Sequence, residues 1–197
     1  NAVEGLEHQR DLELLDVSDN KLTGWIGAGV RTLVRCESLY LSSNELSSLQ
    51  GIELIPSLTD LQAGHNRLQS ASLAKVFSVP CLQSLHFLNL EGNGSGLNGG
   101  VSFLAPLHSL IEISLGGNSL STLEPGVLCN LTCLERLDIR SNAVEGLGDI
   151  IGALQELPEL RELSVSGNPF CTIDNVPTDA NSPSFSSIAG SAHARAG

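Results

Sequence analysis

The residues with the widest chemical reach in this chain are its cysteines. Cys129 and Cys133 form a C-x-x-x-C pair, which could offer two thiolates to zinc. A tetrahedral zinc site needs two further ligands close by. The five histidines (His8, His65, His86, His108 and His193) are scattered along the chain, so no metal site is expected. The pair reads instead as core or half-buried cysteines. With Cys36, Cys81 and Cys171 the count is five, odd and dispersed. That does not make a disulfide framework, and it favours a reducing compartment. Gly92, Gly94, Gly96, Gly99 and Gly100 crowd one stretch, as in a phosphate-cradling loop, but no G-K-[ST] follows them, so no nucleotide site is expected. Asn93-Gly-Ser and Asn130-Leu-Thr are formal glycosylation sequons. Carboxylates such as Glu112 and Asp138 could lie close together on a sheet, with no sign of a pocket around them. No Ser/His/Asp or Cys/His set stands out. The chain is therefore read as a non-enzyme that needs no cofactor.

Composition narrows the partners. Aromatics are 4% of the 197 residues, so the core must be aliphatic. No apolar run approaches the roughly 18 residues that would span a membrane, and no signal peptide is visible. The net charge of -12, with ten scattered Lys and Arg, lacks the basic patch of a nucleic-acid binder. It also argues against docking on anionic membranes. The sign suits a protein partner with a basic or mixed face. No small-molecule substrate is evident.

The elements that must position any site come from a repeat. Seven segments share the frame L-x-x-L-x-L-x-x-N-x-L: LELLDVSDNKL from Leu12, CESLYLSSNEL from Cys36, LTDLQAGHNRL from Leu58 and LHFLNLEGNGS from Leu85, then LIEISLGGNSL from Leu110, LERLDIRSNAV from Leu134 and LRELSVSGNPF from Leu160. The frame asparagines are Asn20, Asn44, Asn66, Asn93, Asn118, Asn142 and Asn168. Within the frame, x-L-x-L-x has period two and reads as a short strand. Leu15 with Val17, and Leu137 with Ile139, point inward; Asp16 and Asp138 point outward. Between frames, Leu147, Ile150, Ile151, Leu154 and Leu157 recur at helical spacing. Pro56 and Pro158 stop the return segments of repeats two and six. In repeat four, Ser95 holds the place of a frame Leu, and Leu97 is expected to supply the missing apolar group.

On these motifs, covering nearly all of residues 1–170, the chain resembles the leucine-rich-repeat superfamily. Its subclass is mixed and nearest to the intracellular phosphatase-regulator-like repeats, although NKLTGWI at Asn20–Ile26 is similar to the plant type. The resemblance implies an α/β solenoid: a horseshoe with a parallel concave β-sheet, and short helices, 3₁₀ turns or loops on the convex side. It also implies that the asparagines form a buried ladder, each amide donating to one backbone carbonyl and accepting from a neighbouring N–H. GNPFC at Gly167–Cys171 resembles the start of a C-terminal cap, without the paired cysteines of extracellular caps.

Two domains are expected: residues 1–170 as the solenoid, with its N-terminus cut in mid-repeat, and residues 171–197 as a Ser/Ala/Pro-rich tail or linker. Binding is expected on the outward strand positions. The candidate residues are Asp16, Tyr40, Gln62, His65, Phe87, Asn89, Glu112, Arg136, Asp138 and Arg140. Tyr40 and Phe87 are aromatic where the fold does not require it, and aromatics and Arg are enriched in binding hot spots. The leading expectation is a cytoplasmic protein–protein interaction module within a scaffold, regulatory or cytoskeletal assembly. An extracellular ligand-recognition ectodomain, or the recognition domain of a larger enzyme, stands as the alternative.

Overall fold

The computed structural model describes residues 5–24, 28–124 and 126–171. Each frame gives one three-residue strand: β1 (Leu14–Asp16), β2 (Ser38–Tyr40), β3 (Asp60–Gln62), β4 (Phe87–Asn89), β5 (Glu112–Ser114), β6 (Arg136–Asp138) and β7 (Glu162–Ser164). They form one open, parallel, seven-stranded sheet in chain order. The register repeats without slip, so Leu39, Leu61, Leu88, Ile113 and Leu137 make one row across it. That row is at most 2% exposed. Leu15 and Leu163, on the edge strands, are only partly buried because each has a neighbouring strand on one side alone. This is the expected leucine-rich-repeat architecture.

The return segments differ from coil to coil. In repeat two the return is a 3₁₀ turn at Ile52–Leu54, and in repeat six an α-helix, here α2 (Leu147–Leu154). Repeat three holds a helix that the sequence reading did not single out, α1 (Ser70–Phe77). Leu73, Val76 and Phe77 stand at i, i+3 and i+4 and are buried. The Phe77 ring tilts against Phe103 of the next coil at 6.1 Å. The helix accounts for the long interval before repeat four. There Leu97 is fully buried beneath the 3₁₀ turn Gly94–Leu97, filling the gap left by Ser95 as expected. At Gly96 the reason for glycine is steric: a Cβ there would run into the Leu68 carbonyl.

Asparagines lock the coils together. Asn118, fully buried, donates through Nδ2 to Leu115 O in its own coil at 2.8 Å and to Leu90 O in the coil before at 2.9 Å. Its Oδ1 accepts from Asn93 N at 2.7 Å. Asn44, Asn66, Asn93, Asn142 and Asn168 repeat this scheme. Asn20 differs: it is exposed, and among the described residues its bonds stay within its own coil, to Val17 O and Ser18 O. Asn93 is buried in the ladder with its amide bonded, which leaves its sequon no room for a glycan.

The residue before each of these asparagines is left-handed. Asp19, Ser43, His65 and Ser141 have φ of 53–56°, and Gly92, Gly117 and Gly167 have φ of 65–77°. This bend aims the backbone N–H at the next coil: His65 N donates to Glu91 O, Gly92 N to Gly116 O, and Ser141 N to Ser166 O. The parallel ladder thus runs on past the strands.

The cysteines correct one expectation. Cys36 is buried and Cys81 half-buried, but Cys129, Cys133 and Cys171 are exposed, and all five are free thiols. Leu128, Leu131 and Leu134 are fully buried and take the core-facing positions, which turns Cys129 and Cys133 outward. Of the proposed tail, only Cys171 lies within the described residues. The cut first coil at Asn1–Val3 and the Trp25–Ile26 part of the plant-type motif lie outside them.

Candidate functional site

A three-residue strand with its middle side chain in the core shows its first and third residues on the other face. The first-position row runs Leu14, Ser38, Asp60, Phe87, Glu112, Arg136, Glu162. The next outward row runs Asp16, Tyr40, Gln62, Asn89, Ser114, Asp138, Ser164. Neither row repeats from coil to coil, unlike the leucines beneath it.

The half formed by β4–β7 is charged and hollow. A shallow depression of about 320 Å³ is lined by Asn89, Glu91, Glu112, Ser114, Arg136, Asp138, Arg140 and Glu162, among others. It corrects the view that no pocket surrounds Glu112 and Asp138. Arg136 bonds Glu112 across the strands at 2.6 and 2.7 Å, and Arg140, two residues past the end of β6, grips Asp138 at 2.6 Å. These bonds raise both guanidinium pKa values, and the charges of Glu162 and Glu91 add to the effect on Arg136 and Arg140 respectively. Within it, Ser114 Oγ is shut off from solvent and has no hydrogen-bond partner among the described residues. Such a group costs about 1–3 kcal/mol.

The β1–β3 half is organised by a residue outside the expected set. Asp60 accepts from Tyr40 Oη at 3.2 Å and from Gln62 Nε2 at 2.7 Å. Its charge, followed by partial burial, pushes the Tyr40 phenol above its ordinary pKa. Leu14 and Phe87 are large apolar side chains left exposed, at 46% and 36%. The Phe87 ring tilts beside His86 at 6.4 Å.

The structure thus brings five of the ten candidates (Asn89, Glu112, Arg136, Asp138 and Arg140) around one depression, with Phe87 beside it. Asp16, Tyr40 and Gln62 lie on the other half of the same face. Three of the ten also have a local structural role. The side chains of Asp16, Asn89 and Asp138 each accept the N–H two residues on, at 2.9 Å, and so finish the strand. That bond holds the Asp16 carboxyl below its ordinary pKa. His65 is not on the strand face. It sits in the left-handed turn, with its ring so close over Gly92 that a Cβ there would collide with it. Asp60, Glu91, Ser114 and Glu162 also face outward in their frames but were left out of the candidate set. Their frame positions give the outward direction, and cross-strand register, from laying the seven frames side by side, gives their neighbours.

Among the described residues, no cluster of three or more His, Cys, Asp or Glu could hold a metal ion, and no helix is long and apolar enough to cross a membrane.

Comparison with known proteins agrees with this architecture. The family model described as "Leucine rich repeat" matches residues 99–144. Protein NUD1 of Saccharomyces cerevisiae is 28% identical over 190 residues, an alignment covering 81% of this chain and 21% of that protein. Tsukushi of Rattus norvegicus is 31% identical over 186 residues, covering 79% of this chain and 50% of that protein. Among solved structures, the plant peptide hormone receptor RGFR1 in complex with RGF2 matches with a TM-score of 0.59 at 25% identity, over 81% of this chain and 25% of that one. This chain therefore spans half or less of each of these proteins.

Proposed function

We propose that this chain, which belongs to the leucine-rich-repeat superfamily, is a non-catalytic protein-binding module whose strand face receives a segment of a partner protein. One observation carries the reading. The fold's needs are met by buried rows of Leu and Asn, while the outward rows carry an exposed Phe87 and two arginine–carboxylate pairs around a depression, of which only Asp138 also closes its own strand. Aromatic and Arg side chains grouped in this way are the usual anchors of protein interfaces. The similar RGFR1 structure has a peptide ligand, which supports a polypeptide as the occupant. The ten expected residues then divide: Phe87, Glu112, Arg136 and Arg140 contact the partner, Tyr40 and Gln62 extend the contact over β1–β3, Asp16, Asn89 and Asp138 hold the strand ends in shape, and His65 stands outside the face.

A pull-down with the wild-type chain beside a Tyr40→Ala, Phe87→Ala, Arg140→Glu triple variant tests the reading. A partner held by the wild type and lost by the folded variant supports it. Equal capture by both moves the interface off the strand face.

The compartment belongs to the same proposal. Five free thiols favour a cytoplasmic scaffold or regulatory role. A second reading, an extracellular recognition ectodomain, is favoured by the exposed Asn130 sequon and by the receptor likeness. The mass of the Asn130 peptide from the native source separates the two, since a glycan there is incompatible with the cytoplasm.

A further inference from the structure

We infer that the occupant of the strand face is a basic segment: it seats a Lys or Arg side chain in the β4–β7 depression and lays an apolar side chain on Phe87. This rests on the strand-face reading above and gives it a chemical class.

Charge comes first. Four carboxylates, those of Glu91, Glu112, Asp138 and Glu162, line the depression against two guanidiniums. Both guanidiniums are already engaged, Arg136 by Glu112 and Arg140 by Asp138. Among the described residues, Glu91 and Glu162 form no ion pair. The depression therefore keeps a net negative charge, and Asp16 and Asp60 extend the same sign over β1–β3. An acidic segment could reach the outer N–H groups of either arginine, but it would bring further negative charge against four carboxylates. A basic one meets carboxylates with no bonded cation, which is the sign complementarity that fixes register and speeds encounter.

The unpartnered Ser114 hydroxyl within the depression is an independent observation. A hydroxyl has two acceptor lone pairs, and Lys and Arg side chains donate only. A cationic side chain seated in the depression would bring N–H groups suited to that hydroxyl once a small shift of the strand face opens it.

Phe87 sets the second contact. It shares a row with Glu112 and Arg136 on the next two strands. At about 4.8 Å per strand, the middle of the depression lies about 10 Å from the ring. An extended segment rises about 3.3 Å per residue, so its apolar and basic side chains stand about three residues apart.

The test selects a phage-displayed library of random dodecapeptides on the full chain, then measures the enriched peptides by fluorescence polarisation. The expected result is enrichment of Lys or Arg two to four residues from an aliphatic or aromatic residue. Affinity should fall about tenfold or more with Glu91→Gln/Glu162→Gln, fall with Phe87→Ala, and weaken as salt rises. Circular dichroism melts confirm that both variants fold. Neutral or acidic peptides that lose binding with Phe87→Ala but not with the Gln pair would overturn the basic class and leave the strand-face reading standing. Peptides indifferent to every strand-face variant would overturn both. Failure to enrich any peptide would overturn the linear-segment occupant.

Discussion

The asparagine turns and the outward strand rows lie side by side, only a few residues apart, and obey opposite rules. At the turns one residue type recurs, is buried from Asn44 to Asn168, and makes the same bonds in each coil. On the strand face no one type holds a row and no two adjacent strands share one: a single row contains Leu14, Ser38, Asp60, Phe87, Glu112, Arg136 and Glu162. Sameness marks what stacking needs from every coil. Variety marks positions that stacking leaves alone, and there function has room. Asp16, Asn89 and Asp138 qualify the contrast, since each sits in an outward row yet closes its own strand.

The comparison breaks most readily at the ladder. Asn118→Ala would strand Asn93 N–H in a buried region and take one of two amide donors from each of the Leu90 and Leu115 carbonyls, which keep Asn93 and Asn142. At roughly 1–3 kcal/mol for the stranded group and about 1 kcal/mol for each further bond lost, the loss should be about 3 kcal/mol or more, read as a lower urea midpoint. Leu61→Ala, beneath the strand face, should cost about 2–5 kcal/mol in the same assay.

Gly92→Ala comes next. It combines a φ of 68° with a collision against the His65 ring. The expected cost is about 1–3 kcal/mol. Adding His65→Ala should recover part of it, by removing the collision while leaving the backbone strain. No recovery would mean that the ring is easily displaced.

Phe87→Ala should matter far less to the fold, by about 1 kcal/mol or less, because its ring already meets solvent. A midpoint shift as large as that of Asn118→Ala would erase the distinction between the two regions.

The smallest effect concerns acid. The Ser18 N–H bond lowers the Asp16 pKa in the folded chain. A depressed carboxyl contributes stability that is present above its unfolded pKa and is lost as pH falls through the folded value. The difference in urea midpoint between the wild type and Asp16→Ala should therefore be present at pH 7 and shrink below about pH 4. A difference that grew in acid would contradict the assignment.

How much of this could be read from the residues depends on range. The strands, the asparagine ladder and the α2 return follow from patterns within one coil. The outward turn of Cys129 and Cys133 was equally legible, since Leu128, Leu131 and Leu134 claim the core. It was missed by weighing Cys as a type and not by position. Helix α1 hides because SASLAKVF is short and begins with Ser-Ala-Ser, a weak start by composition. The left-handed column hides behind mixed residue types, Asp, Ser, His and Gly. The depression, the Asp60 bridge and the Arg136–Glu112 pair depend on side chains from different coils, so only the register between repeats reveals them.

The most direct test compares two neighbours on one coil. Arg140 lies on the strand face, and two residues on, Asn142 accepts from Asn118 N and Leu120 N at 3.0 Å in the ladder. Urea midpoint and partner capture would be measured for Arg140→Ala and Asn142→Ala. The account expects Asn142→Ala to lower the midpoint sharply, and Arg140→Ala to leave it nearly unchanged while weakening capture. An Arg140→Ala chain that unfolds as early as Asn142→Ala, or that stays folded and binds as well as the wild type, would contradict the claim that the strand face is the functional surface.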